Sequence, residues 1–394
     1  MKSNIFLYFL FFSFILGQIP RLRIGEVSLL LNDFVVGFFV FFYFLVSFFK
    51  KEKLKIPKIF KYVLMFFLIA TFSLFINFPN FPSSEILISS LYLLRWIIYA
   101  LLLLVFFNTK FDKEKIIFGL IFTMITISII GILQYFFYPD LRNLEYLGWD
   151  PHYYRVFVPF FDPTFTGAIL TLGFILLISK SFSQKPSLLL VLGGLLMYIA
   201  LALTYSRASY LMYLIAMSLI SIVKKSPKFF ATVIVIGAIT LILLPKEKSY
   251  GTNLKREETL KARIENWKNS FQIWKDHPIF GVGFDTYRYT QRKYGFINEK
   301  DWQISHSGGG ADSSLLFVAA TTGTLGLIGY LFLIFTIIKI SLRNLKDTIS
   351  LTLFASTISL LFHSLFANSL FYPFIMEWIW ILAGIQNGVS KENK

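Results

Sequence analysis

Residues 86–107 read ILISSLYLLRWIIYALLLLVFF, a run whose only charge is Arg95. A helix needs about 20 apolar residues to cross the hydrocarbon core of a bilayer. A helix on a soluble core would show one apolar stripe and one polar face, whereas this run is apolar all round, which makes lipid its solvent. The pattern recurs near 5–19, 28–49, 60–77, 116–137, 163–180, 187–204, 208–223, 229–245, 314–338, 348–367 and 371–388, each run bounded by charged or Pro/Gly/Asn-rich breaks. The composition agrees: 56% of residues are hydrophobic and 15% charged, against about a quarter charged in a soluble domain. The expected fold is an all-α polytopic membrane protein with about twelve transmembrane helices. No small-residue cleavage site follows Gly17-Gln18-Ile19-Pro20, so the first run is read as a helix and not as a signal peptide.

The 394-residue chain carries a formal charge of +16, which in a soluble protein would suggest nucleic acid. Its position says otherwise. With the N-terminus cytoplasmic, the inner segments hold twenty Lys/Arg and the outer ones before residue 246 five, namely Arg21, Arg23, Arg142, Arg155 and Arg207. Lysine and arginine mark the cytoplasmic side in short loops, so both termini are expected inside and a nucleic-acid role loses its support. Two outer segments are long, 138–162 and 246–313, and long translocated segments are largely exempt from the charge rule. The chain divides into 1–245 with nine helices, the outer segment 246–313, and 314–394 with three helices and a cytoplasmic tail.

The unusual residues gather on the outer face. In YYRVFVPFFDPTFTGAIL, from Tyr153, Arg155 precedes Asp162-Pro163, which is placed as the N-cap and first residue of a helix. LTYSRASYL leaves almost no loop between two helices and puts Arg207 at headgroup depth, where it either snorkels or grips a lipid pyrophosphate. Lys255–Lys275 reads as an amphipathic helix with Leu260, Ile264, Trp267, Phe271 and Trp274 on one face and Arg263 beside it. HPIFGVGFDTY then turns the chain, with His277 a helix-end residue. Gly308-Gly309-Gly310 leads into the next helix near Asp312-Ser313. Histidine ordinarily titrates near neutral pH, so His306 suits general-base work, and Asp312 is either an N-cap or a second candidate base. Arg95 is costly in lipid and should face the bundle interior, binding an anionic lipid or pairing with an acid such as Glu377. The absence of cysteine removes disulfides, Cys-ligated zinc, iron–sulfur clusters and thiol chemistry. The outer loops hold no HExxH, His pair or DxD, so neither a metal site nor a cofactor is expected.

Taken together these strings resemble the O-antigen ligase and polymerase superfamily of bacterial membrane glycosyltransferases. The resemblance covers roughly 150–326 and rests on four stretches in the family's order: Arg155 to Thr164, Thr204 to Ala208, Arg263 to Asp285, and Asp312 to Gly326. Ligases of the family carry His-Asn about eleven residues before the glycine matched by Gly323; here that place is Asp312-Ser313, with His306 six residues earlier. The resemblance implies a GT-C-like fold and transfer of a glycan from undecaprenyl pyrophosphate to lipid A-core, or to a growing glycan in the polymerases, at the outer face of the inner membrane. It implies no nucleotide sugar and no metal. Arg207 and Arg263, with Arg155 nearby and Arg95 as a further candidate, would meet the pyrophosphate, and His306 or Asp312 would be the base. The competing class is a transporter or flippase, but no repeat relates the two halves and the polar residues cluster at one face.

Overall fold

In a computed structural model of the chain, residues 3–245, 249–297, 302 and 310–389 are described. All twelve apolar runs are helices. They are α1 (Ser3–Leu16), α2 (Leu31–Phe49), α3 (Phe60–Ile76), α4 (Ser83–Asn108), α5 (Lys113–Phe137), α6 (Pro163–Ser181), α7 (Leu188–Ala202), α8 (Arg207–Val223) and α9 (Pro227–Leu243), then, after α10 (Glu258–Asp276) and α11 (Tyr287–Lys293), α12 (Ser314–Ser341), α13 (Thr348–His363) and α14 (Pro373–Val389). Five of them, α2, α4, α5, α6 and α12, are long and apolar enough to cross a membrane by length and composition. The other apolar helices have 14 to 17 residues.

Short polar residues set where the helices start. Asp112, Asp162, Ser187, Ser206, Ser313 and Asp347 each accept a hydrogen bond from a first-turn N–H of the helix that follows, the usual way to satisfy those orphan donors. Inside, α4 packs on α14 and α2, α3 on α12, and α13 on α6 and α8. Trp96 lies edge-on to Phe66 at 5.0 Å and to Trp380 at 6.2 Å. On the outside Phe48, Phe75 and Phe137 are 78%, 76% and 81% exposed. In water such a surface would aggregate, and in a bilayer it is solvated.

Two local features position the end of the bundle where the two long inter-helix segments lie. The first is a hairpin between α1 and α2: β1 (Arg21–Ile24) pairs antiparallel with β2 (Val27–Leu30) about Gly25-Glu26. The second is a break in α12 at Gly323, whose φ of 69° and ψ of −171° interrupt the helix. The freed backbone groups pair with the turn after α10. Val282 and Gly283 N–H donate to the carbonyls of Ala320 and Thr321 at 3.1 and 2.9 Å, and Thr324 N–H donates to Pro278 O at 2.8 Å. A Cβ on Gly323 would stand 2.1 Å from Ile279 O, and one on Gly281 2.4 Å from the Thr321 carbonyl carbon. Both positions therefore require glycine, and the contact fixes α10 against α12.

Candidate functional site

The tight turn between α7 and α8 is the frame of the site. Tyr205 takes a left-handed φ of 49°, Thr204 Oγ1 bonds back to Leu201 O at 2.7 Å, and Ser206 caps α8. The turn's carbonyls point at arginines brought from both long inter-helix segments, 138–162 and 246–313. Arg155, 6% exposed, donates through Nε to Thr204 O at 2.8 Å. Arg256, 7% exposed, donates to Tyr205 O at 3.2 Å and to Gly251 O and Asn253 O at 2.9 and 3.0 Å. Arg207 starts α8 and donates to Leu254 O and Arg256 O at 3.3 and 3.0 Å. Arg263, on α10, makes no hydrogen bond or ion pair among the described residues.

These four guanidiniums feel one another. Burial first, and then Arg256, bring Arg155 down to about 9; burial and then Arg207 bring Arg256 down to about 10; burial also lowers Arg263. Neutral carbonyls orient Arg155, Arg207 and Arg256 without cancelling their charge. The N-terminus of α8 adds its own positive end. Such an arrangement of donors and positive charge is chemically suited to holding an anion.

Carboxylates border it. Asp162 caps α6, accepting from Thr164 and Phe165 N–H at 2.5 and 3.2 Å, as the Asp-Pro pair predicts. Asp312 is held by α10: Asn266 Oδ1 accepts from Asp312 N–H at 2.7 Å and Trp267 Nε1 donates to Asp312 O at 3.4 Å. Burial raises the Asp312 carboxyl to about 6, opposed by Arg263 and assisted by Asp150 and Asp162. Asp150, His152 and Asp162 bring ligand-type atoms within 4.8 Å of one another. His152 Nε2 is sealed from solvent without a hydrogen-bond partner, and burial, with Arg155 and Arg256, holds the ring well below the usual histidine range. The same two guanidiniums oppose a further cation there.

Of the sequence-derived candidates, Arg155, Arg207, Arg263 and Asp312 come together. His306 lies outside the described residues. Arg95 does not join them: it pairs with Asp33 at 2.8 Å, donates to Ser28 O, and lines a separate cavity. Glu377 meets Asn32 instead, at 2.7 Å. Sequence reading missed Arg256, one of twelve basic residues in 246–313, and His152 with Asp150, which nothing in the spacing ties to Asp162. It places α10 three residues early, and His277 does end that helix. Leu260, Ile264 and Phe271 on its apolar face stay exposed, while Ser270 and Ile273 are buried.

No curated protein matches the chain. A family model described as O-antigen ligase matches residues 192–331, from within α7 to within α12, and so takes in Arg207, Arg256, Arg263 and Asp312. Over that stretch the chain is similar to the O-antigen ligase family, which supports the resemblance to the O-antigen ligase/polymerase superfamily.

Proposed function

We propose that the protein is a glycosyltransferase of the O-antigen ligase type, moving a glycan from undecaprenyl pyrophosphate to a sugar hydroxyl of lipid A-core at the outer face of the bacterial cytoplasmic membrane. The observation that carries this reading is the convergence of Arg155, Arg207, Arg256 and Arg263 on one outer turn, oriented largely by neutral carbonyls. The topology that goes with it has twelve spans in a GT-C-like bundle, with both termini cytoplasmic and 246–313 in the periplasm.

In the reaction the acceptor oxygen bonds to the anomeric carbon of the donor sugar as that carbon's bond to the pyrophosphate oxygen breaks. The leaving undecaprenyl pyrophosphate takes the electron pair, and its growing charge falls among the arginines, fixed before the reaction begins. Asp312 takes the hydroxyl proton. A carboxyl near 6 is ionised at neutral pH and basic enough for this work. His306 is the alternative base.

Arg207→Ala and Arg263→Ala are each expected to abolish transfer, a loss on the order of 10² or more, while the protein remains folded in the membrane. Purified protein is incubated with undecaprenyl-pyrophosphate oligosaccharide and either lipid A-core or further donor, without added metal. One conjugate identifies a ligase and a ladder a polymerase. Wild-type turnover by either variant would overturn the assignment.

A further inference from the structure

A cavity of about 330 Å³ opens beside the arginine cluster, within the size range of small-molecule sites. The β1–β2 hairpin brings Arg21, Arg23 and Glu26 to it, α4 brings Tyr92, Arg95 and Trp96, and the chain after α10 brings Asp285, Arg288 and Tyr289. Its walls are shared with the cluster. Phe165 lines it and donates its N–H to Asp162. Gly310 lines it too, and its carbonyl is held by Asn266, the side chain that also holds Asp312. The candidate base thus stands between the arginines on one side and this cavity on the other.

The lining suits a sugar. A pyranose has a C–H face that packs on aromatic rings and a rim of hydroxyls that needs fixed polar partners. Tyr372 stacks on Phe165 with ring centres 4.1 Å apart, and Gln18 donates to the Tyr372 hydroxyl at 2.7 Å. Tyr289 OH donates to Glu26 at 3.0 Å. The charge is lopsided. Among the described lining residues four guanidiniums face Glu26 and Asp285. Arg95 is balanced by Asp33, and burial lifts Asp285 to about 7, so it is only partly ionised at neutral pH. The described lining stays net positive.

We propose that this cavity is the acceptor subsite and that it takes a glycan bearing an anionic group, a carboxylate or a phosphate on the sugar; the word acceptor rests on the transfer reaction above, the anionic-sugar site on the cavity alone. Arg288 and the hairpin arginines meet the anionic group, and the acceptor hydroxyl is presented past Gly310 toward Asp312. The Arg95–Asp33 pair is a positioning element that fixes Tyr92, over whose ring the Arg95 guanidinium lies at 4.8 Å.

The test uses full-length protein in nanodiscs and three probes: trigalacturonate, glucose 6-phosphate and neutral maltotriose. Binding is read by tryptophan fluorescence, since Trp96 lines the cavity. One or both anionic probes are expected to bind roughly tenfold tighter than maltotriose, and Arg288→Gln to remove that preference; which probe binds tells carboxylate from phosphate. Tyr92→Ala is expected to weaken all three probes. In the same preparations undecaprenyl pyrophosphate should raise the melting temperature of wild type and of Arg288→Gln alike, but not of Arg207→Ala. That shift certifies folding and tests the donor site separately. Equal binding of the neutral and anionic probes, or full anionic preference in Arg288→Gln, overturns the subsite. Loss of the lipid-induced shift from wild type, with sugar binding intact, would strike the transfer reading alone.

Discussion

At the scale of single residues, the site turns on one carboxyl and one overlooked arginine. Asp312 is raised to about 6 because burial disfavours its ionised form more than Arg263 favours it. If it is the base, transfer should rise with pH through about 6, and Asp312→Asn should lose activity together with that limb of the profile. Stability moves the other way. The folded chain holds this proton more tightly than the unfolded one, so the group's contribution is full below about 4 and is lost as pH rises past 6. Asp312→Asn should therefore melt no lower than wild type at pH 7.5, as read by scanning fluorimetry. A wild-type pH profile in Asp312→Asn would instead move the role to His306. Arg256 binds carbonyls from Tyr205, Gly251 and Asn253 at once, tying the second outer segment to the α7–α8 turn. Arg256→Ala should lower transfer by a factor on the order of 10² and make the stretch after α9 more sensitive to limited proteolysis. Arg256→Lys should restore little, since one ammonium cannot span the same three acceptors.

At the scale of elements, the decisive contact is between the turn after α10 and the break in α12. The Gly-Val-Gly turn and the Thr-Thr-Gly kink bond backbone to backbone, with Ser73 Oγ on α3 reaching Phe280 O and Thr321 O at 2.6 and 2.8 Å. Gly323→Ala puts a Cβ 2.1 Å from a carbonyl at a positive φ. The strained backbone alone costs on the order of 1–3 kcal/mol, and the clash adds to it. The variant should melt earlier in detergent and transfer little, because α10 carries both Arg263 and the Asn266 clamp on Asp312. Gly25→Ala, also at positive φ but with open space around it, should be milder. These glycine pairs were visible as motifs in the sequence, yet nothing along the chain says that they touch each other. The β1–β2 hairpin was legible in principle, since RLRIGEVSLL carries a turn glycine between two apolar-rich arms, but beside two long apolar runs it reads as a break.

At the scale of the whole molecule, the charge asymmetry predicts a topology that the chain makes easy to test. It has no cysteine, so single cysteines can be placed without a background. Glu145→Cys and Glu265→Cys should react with a membrane-impermeant maleimide in spheroplasts, and Lys53→Cys and Lys185→Cys only after permeabilisation. Labelling of the second pair from outside would invert the topology and remove the arginines from the outer face. The apolar runs and the Asp162 cap were legible in the sequence alone, because each is a local property: hydration of an apolar run, a side-chain oxygen within three residues of a bare N–H; the other cap expected, at Asp312, falls to its neighbour Ser313. Which arginines meet was decided only by the tertiary structure. Arg155 and Arg256 lie a hundred residues apart and converge because both need the carbonyls of one strained turn. Arg95, the most unusual charge in the sequence, was drawn away to Asp33, because a guanidinium inside a bundle takes the nearest carboxylate that can neutralise it.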